Sequence, residues 1–462
     1  MITIIGLGTR AGELSLRAVN CLKEARCVLV RAASLASARV LNELDVAFES
    51  LDFVYEKSRN FDTLAKNLAA EVRKRAAEGD VVYCVDGGVT EDRAAQLLLK
   101  QGGVTVFEGV SKAASAAARA GLFGGYTAVS AYEVAERKLA LPLVVYDLDD
   151  KLLAGDVKLL LCDRFGDEAP ALLLDGEKAE RIPLYEADRA ESYSPETALV
   201  LFDIPLLEKK RFDLDDFITV MRRLRAPDGC PWDRVQTHES IRINLIEEAY
   251  ELVDAIDRKD PERMREEAGD VLMQAVFHTL MEEEAGNFNM TDVISEVTEK
   301  LITRHTHVFG QDKAAGADGA LSVWEKNKMT EKHQKTFSDS VNDVPEGFPA
   351  LLRAEKVVKR TGKGGWKDSY EAAEEALFAA EKRLAAAEGG NTDEALGELL
   401  LAAVRLGKLK GGDAEQALLD KVKAVQREYT AFEALVLADG KDVNALTPEE
   451  RKEYERRAHE SL

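Results

Sequence analysis

The stretch "IEEAYELVDAI", residues 246–256, sets Glu247, Glu248 and Glu251 within two turns of a helix. Like charges three or four positions apart on a helix cost about 0.2–0.5 kcal/mol per pair, which a wet surface tolerates. On a helical wheel Leu245, Ala249, Leu252, Val253 and Ile256 make one apolar face, Glu247, Glu251 and Asp254 lie opposite, and Glu248 sits at the border. Taken alone this is an ordinary amphipathic helix. The next stretch, "EAGDVLMQAVFHTLM" (267–281), is apolar nearly all round, which predicts a helix buried between neighbours. It nevertheless carries Glu267, Asp270, Gln274 and His278 at spacings of three, four and four, along one line of its surface. An ionised carboxylate buried without a partner costs several kcal/mol, and no Lys or Arg follows Arg263 on that line. If the first helix turns its acidic side to this line, four or five carboxylates converge. Oxygen donors without Cys, and with no close His pair, suit a hard ion, Mg²⁺ or Mn²⁺. His278 reads as a structural hydrogen-bonding residue.

Outward from these helices the style of the chain is uniform. From about residue 212 onward strand signals are nearly absent, and Ala, Leu, Glu, Lys and Arg recur with a 3.6-residue period, as in an all-α domain. Asp260 before Pro261 fits a helix N-cap with a first-turn proline, and Gly286 fits a helix end. The segment 309–322 reads as a loop and 341–349 as a linker. A second helical block, 350–462, echoes the first: "EEALFAAEKRLAAA" and "ALGELLLAAVRLG" stand where "EEAYELVDAI" and "EAGDVLMQAVFH" stood. Residues 1–205 are different. "ITIIGLG", "CVLVRA", "DVVYCVDGG", "VTVFEG", "LVVYDL", "KLLLCDRF" and "ALVLFDIP" alternate with helical runs, which predicts α/β layers around a largely parallel sheet.

With 462 residues the chain exceeds one ordinary core. Its 62 Lys and Arg against 84 Asp and Glu give a net charge of −22, which argues against a nucleic-acid binder, since no basic stripe is available to displace counterions from a phosphate backbone. An acidic protein that handles phosphates needs metal cations. The five cysteines fall in no metal or redox spacing and read as reduced residues of a cytoplasmic protein. No run approaches the roughly 18 apolar residues of a membrane span.

The pattern E-E-x-x-E followed by E-x-x-D, here "EEAYE" and "EAGD", resembles the MazG-type nucleoside triphosphate pyrophosphohydrolases, as do the flanking "LRAPDGCPWDRVQTHESI" and "RHTHVFG". The resemblance covers about 212–335. It implies a Mg²⁺-dependent hydrolase that converts a nucleoside triphosphate to a monophosphate and pyrophosphate, and a homodimer formed through the helical domain. It also implies Glu248, Glu251, Glu267 and Asp270 as metal ligands, with Glu247 as a supporting group or the base for water. Arg304, Lys326 and Lys328 stand as candidate phosphate or base contacts, together with His305. Trp232, in the "GCPWD" turn, reads as a packing anchor or a contact to the nucleotide base. The second block resembles the family with its acids eroded: Ala379, Ala380 and Ala395 stand where carboxylates would be needed, leaving Glu398. This copy reads as a scaffold.

Residues 1–205 are similar to the tetrapyrrole (corrin and porphyrin) methylases, two-lobed α/β enzymes that use S-adenosylmethionine. The likeness rests on "TIIGLGTRAGELSLRAVNCLKEARCVLV", "DVVYCVDGG" and "FEGVSKAASAAARAGL". It implies Gly6, Gly8, Asp86, Gly87, Gly88 and Ser111 as the cofactor's contacts. Two prolines usual in that family are missing, with Thr9, Arg10 and Ala11 in the first glycine loop and Val89 in the second. A proline fixes the backbone that meets the cofactor. Active methyl transfer, a ligand pocket without catalysis, and a structural or partner-binding lobe therefore all stay open. The whole chain resembles YabN-type fusions of such a domain to MazG. Two rival readings are an S-adenosylmethionine-dependent methyltransferase with an accessory helical half, and a noncatalytic interaction scaffold.

Overall fold

The computed structural model describes residues 1–8, 11–58, 61–332, 336–387 and 391–462; Thr9 and Arg10, named above, lie outside them. The chain forms two compact units, Met1–His278 and Thr279–Leu462. Among the described residues no helix is long and apolar enough to cross a membrane.

The first unit opens with five parallel strands: β1 (Ile2–Gly6), β2 (Val28–Val30), β3 (Glu49–Ser50), β4 (Val81–Val85) and β5 (Val104–Phe107), in the order β3-β2-β4-β1-β5. β1 and β4 are buried along their whole length, as central parallel strands covered on both faces must be. A second sheet follows, of β6 (Thr127–Ser130), β7 (Leu143–Tyr146), β8 (Pro170–Asp175), β9 (Lys178–Pro183) and β10 (Ala198–Leu201), in the order β6-β7-β10-β8-β9. Only β6 and β7 pair in parallel here; the other three pairings are antiparallel. The largely parallel expectation thus holds for the first lobe and fails for the second.

One segment changes type. "KLLLCDRF", expected as a strand, lies in the helix Lys151–Phe165. The Asp150 carboxylate accepts from the Leu152 and Leu153 amides and starts it, and Ala154, Val157 and Leu161 bury at helical spacing. A short apolar run fits either period, so the N-cap decides.

The same unit continues into helices Leu214–Arg225, Pro231–Arg234 and His238–Arg258, and into most of Pro261–Ala285. Thr237 caps the third of these through the Ser240 amide, and Asp260 caps the fourth through the Glu262 and Arg263 amides. Between them Lys259 takes a left-handed conformation. So short a turn makes the two long helices antiparallel neighbours. Their facing differs from the helical-wheel expectation. Ile241 and Ala255 are buried, Leu245, Glu248 and Leu252 are half-buried, and Ala249, Val253 and Ile256 face out. The inward line of the first helix therefore runs through Glu248.

The second unit is helical. Within the expected 309–322 loop a helix already starts at Gly316 and runs to Glu331. Tyr370–Ala385 and Thr392–Leu409 pair as a helical hairpin. Phe432, Val436, Tyr454 and Ala458 pack the last helix, Pro448–Ser461, onto Ala414–Ala438.

Candidate metal centre

The antiparallel pair His238–Arg258 and Pro261–Ala285 brings Glu248, Glu267 and Asp270 together, each with a carboxylate oxygen within 4.8 Å of the others. Glu267 is 5 % exposed and Asp270 and Glu248 are half-buried. Arg263, one turn earlier, donates Nε to Glu267 Oε1 at 3.2 Å. Among the described residues no ion pair reaches Glu248 or Asp270, and no second grouping of this kind occurs. The cost shows at Glu248, whose carboxyl is pushed above the ordinary value by burial and then by the charges of Asp270, Glu251, Glu267 and Glu247. Three oxygen donors in one small space, with no soft ligand beside them, fit a hard divalent cation. Glu247 and Glu251 are exposed and stand outside the close group, Glu251 one turn beyond Glu248.

Further along the inward line lie Gln274 and His278. Gln274 is buried, its Oε1 without a partner among the described residues, as is His278 Nε2. His278 Nδ1 meets His238 Nδ1 at 2.8 Å, with the rings stacked at an interplanar angle of 4°. Burial and the neighbouring His238 hold the His278 imidazole below its ordinary pKa. The structural reading of His278 is met by this contact. His238 had no mark in the sequence: it opens a helix forty residues earlier, and only folding reveals the pair.

The candidate substrate contacts divide. Trp232 is 60 % exposed on the one-turn helix Pro231–Arg234, so it is not a packing anchor. The turn around it is held by polar bonds, Arg225 and Gln236 donating to the carbonyls of Asp233 and Trp232. In the second unit Arg304 makes a two-pronged ion pair with Glu331, at 2.7 and 2.8 Å, and lies over the Trp324 ring. Lys328 covers the same ring, and its ammonium is held below the usual lysine range by burial and by the charges of Lys332, Arg360 and Arg304. Lys326 is exposed. His305 Nδ1 is bonded to the Leu301 carbonyl. In the second helical hairpin Ala380 and Ala395 are buried, and Glu398 pairs with Arg383.

In the first unit the six candidate cofactor contacts all gather at the carboxyl ends of β1, β4 and β5. Gly8 and Gly87 bond to each other's backbone, Asp86 accepts from the Ser37 amide at 2.6 Å, and Ser111 caps the helix Lys112–Ala120.

Comparison with known proteins finds two families along the chain. The profile of the MazG nucleotide pyrophosphohydrolase domain matches residues 236–309, and that of the tetrapyrrole (corrin/porphyrin) methylases matches residues 1–146. The chain is 31 % identical over 376 residues to the uncharacterized protein YabN of Bacillus subtilis, covering 78 % of this chain and 76 % of that one. It is 35 % identical over 250 residues to the nucleoside triphosphate pyrophosphohydrolase of Escherichia coli, covering 52 % of this chain and 94 % of that one. Among solved structures, the methyltransferase CobJ overlays with a TM-score of 0.34 at 17 % identity, covering 44 % of this chain and 93 % of that one.

Proposed function

This chain belongs to the MazG nucleoside triphosphate pyrophosphohydrolase family, in the fused form with a tetrapyrrole methylase-like domain ahead of MazG, and we propose that it hydrolyses nucleoside triphosphates with a divalent cation held by Glu248, Glu267 and Asp270. The observation that carries the reading is the convergence of these three carboxylates from two helices, with a raised Glu248 and, among the described residues, no ion-pairing cation at two of the three. The working domains are 1–205, 212–335 and 350–462.

The reaction is NTP + H₂O to NMP + pyrophosphate. Water oxygen bonds to the α-phosphorus, the bond from that phosphorus to the bridging oxygen breaks, and pyrophosphate leaves with the electron pair. Mg²⁺ or Mn²⁺ at such a site neutralises the polyphosphate and acidifies water. The chain's own residues would hold and orient: Glu248, Glu267 and Asp270 would grip the ion, Glu251 would extend the acidic line, and Glu247 would take a proton from the attacking water. Arg263 steadies Glu267. Positioning and charge stabilisation supply most of the rate in such chemistry.

The His238–Arg258 helix also leaves Ile243, Ile246, Tyr250 and Val253 exposed at spacings of three, four and three. These form one apolar stripe along the helix, and a second copy of the chain covers it, making the enzyme a homodimer.

The test is a panel of canonical and modified triphosphates incubated with Mg²⁺ and analysed for products. Monophosphate and pyrophosphate are expected with Mg²⁺ and neither with a chelator. Diphosphate with orthophosphate, or turnover indifferent to chelation, would contradict the reading.

A further inference from the structure

The N-terminal lobe has the layout of an anion site. Ligands of open parallel sheets sit beyond the carboxyl ends of the strands, and a helix N-terminus there offers backbone N–H groups to an anion. The helix Lys112–Ala120 begins at that edge, next to the glycine turns that follow β1 and β4.

The donors at that edge are taken by the chain itself. The Glu91 carboxylate accepts four hydrogen bonds: Oε2 from the Gly88 and Lys112 amides, both at 2.8 Å, and Oε1 from Ser111 Oγ at 2.7 Å and the Ala113 amide at 3.1 Å. Glu108 Oε1 accepts from the Val89 amide at 2.7 Å. The Gly8 and Gly87 amides are satisfied by each other's carbonyls, at 3.2 and 2.9 Å. The space is taken as well. A Cβ on Gly87 would stand 2.4 Å from Glu91 Oε2, and one on Gly88 would stand 2.6 Å from Glu108 Oε1. Gly6 and Gly109 press backbone against backbone, a Cβ on Gly109 meeting the Gly6 carbonyl at 2.3 Å. The glycines that a cofactor would need for close approach are used here for contact within the chain. Lys112, at the start of the helix, reaches Asp147 beyond β7 at 2.5 Å, and Asp147 itself sits at a φ of 59°.

We propose that Glu91 is a resident occupant of this cradle. Its carboxylate holds the donors that an anionic ligand group, such as the carboxylate of S-adenosylmethionine, would require, so the lobe binds no S-adenosylmethionine and transfers no methyl group. The residues expected to contact the cofactor keep the family's layout and have turned to holding the lobe's two glycine turns and its helix together.

Two measurements on the full-length protein test this. Isothermal titration of the wild type with S-adenosylhomocysteine is expected to give no saturable heat at millimolar ligand; a micromolar dissociation constant would overturn the proposal. Glu91→Ala strands four donors and is expected to lower the melting temperature by at least about 5 °C. Acetate should restore it in a concentration-dependent way, because an anion that binds only the folded form stabilises it. Sodium chloride at equal ionic strength should not, and the wild type should respond to neither. A variant as stable as the wild type, or one indifferent to acetate, would overturn the proposal. If Glu91→Ala does not fold, Glu91→Gln serves: its amide nitrogen faces N–H donors, so its melting temperature must fall below that of the wild type, and an unchanged value would count against Glu91.

Discussion

Glu248→Gln and Asp270→Asn are each expected to reduce pyrophosphate release by at least ~100-fold, since even groups that merely support a metal ligand are worth about 10–100-fold. In the presence of a chelator both should melt higher than the wild type. The two effects have one cause. Without a cation, Glu248 is partly buried and also carries the repulsion of Asp270, Glu251, Glu267 and Glu247, so burial first and these charges second raise its carboxyl. A raised acid binds its proton more tightly in the folded state, so at neutral pH the charged cluster destabilises the fold, and stability returns as pH falls through the folded value. Neutralising one member relieves on the order of 1 kcal/mol, or about 2–4 °C in a unit of this size. Divalent ions should raise the wild-type melting temperature and leave the variants nearly unmoved. Calorimetry with and without Mg²⁺, beside a pyrophosphate assay, checks both halves. A variant with full turnover would remove the metal hypothesis, and one that melts lower in chelator would show that the acids are there for structure.

Removing residues 1–205 is expected to leave hydrolysis measurable in the remaining fragment, while residues 1–205 alone give none. Every proposed ligand lies between Glu248 and Asp270, on helices whose starts are fixed locally by Thr237 and Asp260. The ion pair Arg211–Asp163, which spans the cut, is exposed on both sides, and such pairs contribute little. The fragment should elute as a dimer, through the stripe of Ile243, Ile246, Tyr250 and Val253. Steady-state rates on both fragments decide it. A folded 206–462 fragment without turnover would mean that the first lobe supports the site or that the boundary is misplaced.

Much of this was legible in the sequence because spacing alone carries it. Glu267, Asp270, Gln274 and His278 share a line on any helix, and the structure turns that line inward. The partner line was less legible. A wheel places Glu248 at a border and Val253 and Ile256 inside, yet the helix rolls the other way. Composition cannot distinguish an apolar face meant for the chain's own core from one left for a second copy. The strand-like "KLLLCDRF" misled for a related reason, since an apolar run satisfies both periods and the deciding cap, Asp150, is a single residue. Glu91 carried no signal at all. Its meaning comes from Gly88, Ser111, Lys112 and Ala113, which folding alone brings around it.

The most direct measurement is anomalous diffraction from crystals of the full chain soaked in Mn²⁺. A peak bonded to carboxylate oxygens of Glu248, Glu267 and Asp270, absent from Asp270→Asn crystals, is expected. Well-ordered density for the three side chains with no Mn²⁺ between them at millimolar metal would contradict it.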